Sequence, residues 1–206
     1  MTSPYQRFID FFELRGTERL DGLDASYFEP MTLDERRRAY DLLWAKVEKG
    51  GTDESVNGLF LADEERAVAD VTPLLEGGRL RPQAEVLAAW NIYRLTKDAA
   101  MVAYFARRLS DPSAEVRGNA AYYAPAAAPT QSLIKGLQGM VLTETERLPL
   151  IHALNKLLEC HGVTETSIDK TTYIKLYRGL RADAAATKTA TFDLLNMRYP
   201  IAFVDN

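Results

Sequence analysis

Asp111–Ala128, DPSAEVRGNAAYYAPAAA, reads as a helix start, a helix with an apolar stripe, and a stop at Pro125. A related unit, RPQAEVLAAWNIYRL, begins thirty residues earlier at Arg81. Superposition places Pro82 on Pro112, Ala84 on Ala114, Glu85 on Glu115, Val86 on Val116 and Tyr93 on Tyr123. Similarity at such a period marks stacked helical units, none of which buries its apolar face alone.

Working outward, the same punctuation recurs. Helices are expected over 4–14, from Thr32 to Gly50-Gly51, from Thr52 through TDESVNGLFLA, and from Asp63 to Gly77-Gly78. Further helices are expected over 82–95, 99–109, 113–124, 130–142, 144–160, 169–180 and 183–197, with short turns between them. Thr32 and Glu35 form a capping-box pattern, and Leu33, Arg36, Tyr40, Leu43, Trp44 and Val47 give the buried stripe behind it. Pro73 falls inside the 64–76 pattern and predicts a kink or break. Gly16 should end the first helix. Leu20, Leu23, Tyr27 and Phe28 make the following loop too apolar for a free linker, and suit it to plugging the end of a stack. No strand-period stretch of useful length occurs. The expectation is an all-α single domain over 1–206, with an N-terminal helical cap at 1–61, helix pairs at 62–197, and a tail at 198–206. In that tail Ile201 and Phe203 cover the last core layer.

The unit at 111–124 resembles the second half of a HEAT repeat. Asp111 stands in the turn, the pair Val116-Arg117 follows, then the small residues Ala120 and Ala121. The resemblance extends more faintly over 62–197. At 81–95, Arg81 stands for the aspartate and Leu87 for the arginine, which breaks any ladder. The resemblance implies a right-handed α-α superhelix, a solenoid of antiparallel helix pairs whose second helices line the concave face. Asp111 would cap the following helix. Arg117 would reach an acid or a carbonyl in a neighbouring turn. Val116, Ala120 and Tyr123 would pack inward.

Charge narrows the function. The 206 residues carry −4 overall, with 13 Lys+Arg against 19 Asp+Glu in residues 1–103 and 12 against 10 in 104–206. A nucleic-acid binder shows a strong basic face. Here the run Arg36-Arg37-Arg38 sits among Asp34, Glu35 and Asp41, which predicts acid–base pairing on a solvated helix. A local patch of Arg107, Arg108, Arg117 and Arg147 is the other basic candidate. HEAT-like enzymes such as alkylpurine DNA glycosylases and bilin lyases are disfavoured, the former by the acidic charge. The N-terminus reads as a poor secretory signal and no run reaches the roughly 20 apolar residues of a membrane span. The expected location is the cytoplasm.

Catalytic and metal chemistry find no motif. His152, Cys160 and His161 are the only imidazole and thiol ligands. Two turns separate the first pair, about 12 Å along a helix, too far for one zinc ion with ligands at about 2 Å. Neighbours on a helix do not face each other, which disfavours a Cys–His nucleophile pair. EGGRLRP at 76–82 lacks the strand and Lys-Ser/Thr of a phosphate loop. No cofactor, metal or catalytic residue is expected. Repeat register puts Trp90, Tyr93 and Tyr123 in the core and leaves Tyr122 exposed.

The expected function is therefore non-enzymatic protein binding through the concave face. The character of the chain is similar to that of bacterial immunity proteins, which neutralise a cognate toxin, and the candidate partner is a basic toxin domain. A scaffold or assembly factor is the alternative. Partner contacts are expected at Asn91, Arg94, Arg117, Asn119, Tyr122 and Asn155, with Glu85 and Glu115 contributing charge.

Overall fold

In the computed structural model, residues 3–14 and 22–204 are described. Among them stand eleven α-helices, two short 3-10 turns and no strand. Gly16 and Leu20 lie outside the described residues. The chain divides into two compact units between Thr96 and Lys97. The expected cap helices pack with the pair that follows them, so the first unit closes only after residue 96.

In the first unit, α1 spans Pro4–Phe11, α2 Leu33–Val47, α3 Asp53–Ala62, α4 Glu64–Glu76 and α5 Pro82–Thr96. Side-chain caps set the starts: Ser3, Thr32, Thr52 and Asp63 each accept a first-turn amide. The Thr32–Glu35 box is formed, and the Thr32 amide holds the Glu35 carboxyl below its usual range. α3 packs on α2 and on α5, while α4 packs on α3 and α5. Leu43, Val56, Leu59, Val71, Leu75, Val86 and Ile92 build the core. Tyr40 is buried between α2 and α4. Its hydroxyl donates to Asp70 at 2.9 Å, and Arg66 lies over its ring, 4.0 Å from the centroid.

Some expectations fail here. Leu33 is 86% exposed, because it opens the helix and the buried stripe runs instead through Ala39, Tyr40, Leu43 and Val47. Among the described residues none of the 36–38 arginines forms a contact ion pair with a carboxylate, although the charge of Arg38 helps to lower the Glu35 pKa. Arg36 donates to the carbonyls of Phe28 and Glu29, and Arg38 covers the Tyr5 ring. Of the kink or break expected at Pro73, the break does not occur: α4 carries the proline within it and runs through to Glu76. The apolar loop is anchored as expected where it is described, with Leu23 and Phe28 buried and Tyr27 half-buried.

The second unit contains α6 Val102–Arg108, entered through a 3-10 turn at Ala99–Met101. It continues with α7 Ala114–Tyr123, α8 Gln131–Thr143, α9 Arg147–Cys160, α10 Lys170–Leu180 and α11 Ala185–Arg198. First helix packs on first helix and second on second: α6 lies against α8, and α7 against α9. The last pair, α10 and α11, meets the array through α11 on α8. There the Lys188 ammonium is buried and donates to the Val141 carbonyl at 2.7 Å. Leu133, Leu137, Leu154, Leu157, Leu176, Leu180 and Leu195 fill the core.

Asp111 does not cap α7. Ser113 is the cap residue, and Asp111 accepts from the Ser113 amide and pairs with Arg108 at 3.1 Å. The aspartate thus shapes the turn one step upstream of the helix. Of the aromatics assigned to the core, Tyr93 is buried while Trp90 and Tyr123 are only half-buried. Past α11 the chain leaves the helix before Pro200, and the Val204 amide donates to the Pro129 carbonyl at 3.1 Å. Ile201 is half-covered there, whereas Phe203 stays exposed.

Candidate protein-contact surface

Seven of the eight residues expected to meet a partner fall into three groups, and the eighth, Asn155, stands on α9. Glu85 and Asn91 sit on α5 and are 1% and 4% exposed. α5 is covered by both α3 and α4, so the face assigned to solvent is interior. The Asn91 amide returns to the Leu87 carbonyl at 3.0 Å. Neither residue presents surface, so Glu85 does not contribute the exposed charge expected of it. Arg94 is exposed and already meets Glu64 at 2.6 Å.

Arg117 forms the second group. Its guanidinium grips Glu144 with two prongs, at 2.6 and 2.9 Å, and donates to the Asp111 and Pro112 carbonyls at 2.9 and 3.0 Å. The Arg117 hydrogen bonds hold the Glu144 carboxyl below its ordinary range, and the pair raises the arginine in turn. Both forms of contact expected of this arginine occur together, and they engage its fork in tying α7 to the turn before α9. Arg108 is likewise committed to Asp111, and Arg107 stands over Tyr104. Three of the four arginines of the local basic patch are thus engaged within the fold, and Arg147 is exposed.

Glu115, Asn119 and Tyr122 form the third group. Their spacing of four and three residues puts them on one face of α7. Tyr122 is 57% exposed. Its ring is held from the side by Tyr123, 4.9 Å away, and by His152 of α9, 5.1 Å away. His152 is itself fixed, since Nδ1–H donates to the Gly118 carbonyl at 3.0 Å. A matching stripe runs along α9 through Leu148, His152, Asn155 and Glu159. Leu148 is 62% exposed, an apolar side chain open to solvent at the start of that helix.

Asn155 opens onto a groove of about 670 Å³ between α9 and α10, walled by Tyr173, Ile174, Tyr177, Arg178 and Arg181. Leu148 and these α10 residues are not among the contacts expected from the sequence, where His152 figures only as an isolated ligand-type residue. Tyr173, Tyr177 and Arg181 recur every four residues, a signal that was legible, but amphipathic spacing alone does not say which stripe faces water.

Chemistry at the buried ligand-type residues is muted. Burial pushes the Cys160 thiol up to about 12, so it is not a thiolate at neutral pH. His161 Nδ1–H donates to the Tyr199 carbonyl at 2.6 Å, and its buried Nε2 has no partner among the described residues. Burial lowers the His161 pKa. Among the described residues no cluster of three or more His, Cys, Asp and Glu is placed to hold a metal ion. No helix there is long and apolar enough to cross a membrane.

No family model, no curated protein and no solved structure matches the chain.

Proposed function

We propose that this chain is a non-enzymatic protein-binding module. Its contact face is the exposed side of α7 and α9, and its best reading is a cytoplasmic bacterial immunity protein that neutralises a toxin. The supporting observation is the exposed Tyr122 ring, clamped by Tyr123 and His152. A half-open tyrosine braced by two rings, with an exposed leucine on the neighbouring helix, is the composition of a binding anchor, because less side-chain entropy remains to be lost on contact. Asn119 and Asn155 flank it with amides that can bond a partner's backbone.

On this proposal the helix pairs form a HEAT-like right-handed superhelix with α7 and α9 on its concave side. The like-on-like packing of α6 on α8 and α7 on α9 supports that arrangement. The surplus of acid lies in residues 1–103, outside the α7–α9 face, so charge does not select a basic toxin domain at that face. A scaffold or assembly factor using the same face is the second reading, favoured by the apolar Leu148, which suits a permanent contact more than a charge-steered one.

A photo-crosslinking residue at position 122, compared with one at exposed Asp193 on α11, tests the face in the native cell. A discrete protein partner captured only from position 122 is the expected result. Equal capture from both positions would remove the proposal. A secreted enzyme of toxin character among the captured proteins selects immunity, and an assembly subunit selects the scaffold.

A further inference from the structure

We infer that the α9–α10 groove is a docking site for an acidic peptide segment. The floor is aromatic: the Tyr173 and Tyr177 rings stack, with centroids 6.1 Å apart and planes inclined by 27°. Arg181 stands over Tyr177, 5.9 Å from its centroid, and Arg178 lies on the same wall. Among the described residues neither arginine is joined to a carboxylate. This sets them apart from Arg66, Arg94, Arg108 and Arg117, each of which is. Two exposed guanidiniums at the lip of a groove leave their forks available for a carboxylate, the group whose geometry they match.

The other walls choose the kind of anion. The Asn155 amide offers a donor and an acceptor, the pair that a peptide backbone presents in return. Glu165 forms part of the same groove, and its charge helps burial to raise the Tyr173 hydroxyl pKa. That carboxylate opposes a phosphodiester strand, which would need several cations along its track. It does not oppose a segment that brings one carboxylate to Arg178 and Arg181 and backbone N–H groups to Glu165. The side chain next to that carboxylate would lie on the tyrosine pair and Ile174. The volume, about 670 Å³, falls in the range of sites that enclose a few side chains.

The inference deepens the protein-binding reading at one end of its face, since Asn155 belongs to both, and it rests on that reading for the class of partner. Its test uses the full chain and a short synthetic peptide with glutamates around one leucine, followed by NMR and fluorescence titration. A glutamine version of the peptide and an oligothymidylate serve as the comparison probes. The expected result is saturable binding of the glutamate peptide, with shifts at Tyr173 and Tyr177. Arg178→Glu and Arg181→Glu should each weaken it about tenfold or more without altering the melting temperature, because both side chains are exposed. Equal binding of the glutamine peptide, shifts elsewhere, or unchanged affinity in both variants would overturn the inference. Binding of the oligothymidylate in place of the peptide would overturn it as well. Crosslinking at position 122 reports separately on the α7–α9 contact, so failure of the groove and failure of the wider face are told apart.

Discussion

Arg117 and Glu144 are joined by two parallel hydrogen bonds of 2.6 and 2.9 Å, and the Glu144 side chain is almost wholly withdrawn from water. Arg117→Ala therefore leaves a buried carboxylate without its cation, held only by the Thr145 and Glu146 amides. A loss of about 3 kcal/mol of unfolding free energy is expected in urea titration. Arg117→Lys recovers only part of it, because an ammonium cannot span both oxygens. The acid response follows from the same pair. The folded Glu144 pKa is depressed, so its contribution is complete above the ordinary carboxylate range and is lost as pH falls through the folded value. Wild-type stability should drop in that acid window more than that of Arg117→Ala.

Tyr122→Ala should separate binding from folding. The ring is largely solvent-facing, so the melting temperature should shift little, in keeping with the roughly ±0.5 kcal/mol of ordinary surface changes. Affinity for a partner captured at this face should fall about tenfold or more. A large stability loss with binding intact would assign the ring to the fold alone.

His161 predicts a second pH effect, nearer neutrality. Burial depresses its folded pKa below the ordinary value of 6.5. Above that value both folded and unfolded chains are neutral at this site. Below it the unfolded chain takes a proton that the folded chain refuses, so stability declines until the folded imidazole titrates as well. Calorimetry should show a lower melting temperature at pH 5.5 than at pH 7.5, and His161→Gln should shrink the difference.

Two glycines should respond in opposite directions. A Cβ at Gly58 would stand 2.7 Å from Leu23 Cδ2 and 2.9 Å from Leu43 Cδ1, so Gly58→Ala overpacks the α2–α3 contact and should cost about 1–3 kcal/mol. Gly139, inside α8, has nothing within 4 Å of such an atom. Gly139→Ala should stabilise the protein by about 0.5–1 kcal/mol through reduced backbone freedom in the unfolded chain. Paired denaturation curves check both.

What the sequence disclosed was mostly local. Thr32, Thr52, Asp63 and Asp169 could be read as helix starts because a cap acts over three residues. Where two cap-type residues stand close, as at Asp111 and Ser113, motif register picked the wrong one. Glu85 and Asn91 were misplaced because burial of α5 depends on two distant helices, which periodicity within α5 does not encode. Arg117 met the acid or carbonyl expected of it, but the identity of Glu144, 27 residues away, needed the fold. Tyr122 was read as exposed from its neighbour's register alone. The groove beside Asn155 was invisible, since α9 and α10 supply its walls from segments with no shared pattern.

The buried state of Cys160 carries a practical consequence for studying the molecule. It is the chain's one cysteine, and its thiol stays protonated and enclosed at neutral pH. Thiol-directed dyes and spin labels should leave the native protein unmodified. A new cysteine on an exposed position outside the proposed contacts, Lys175→Cys on α10 or Asp193→Cys on α11, would then take a single label without removal of the native residue. A label there can report a partner's arrival while Tyr122 and Arg178 keep their side chains.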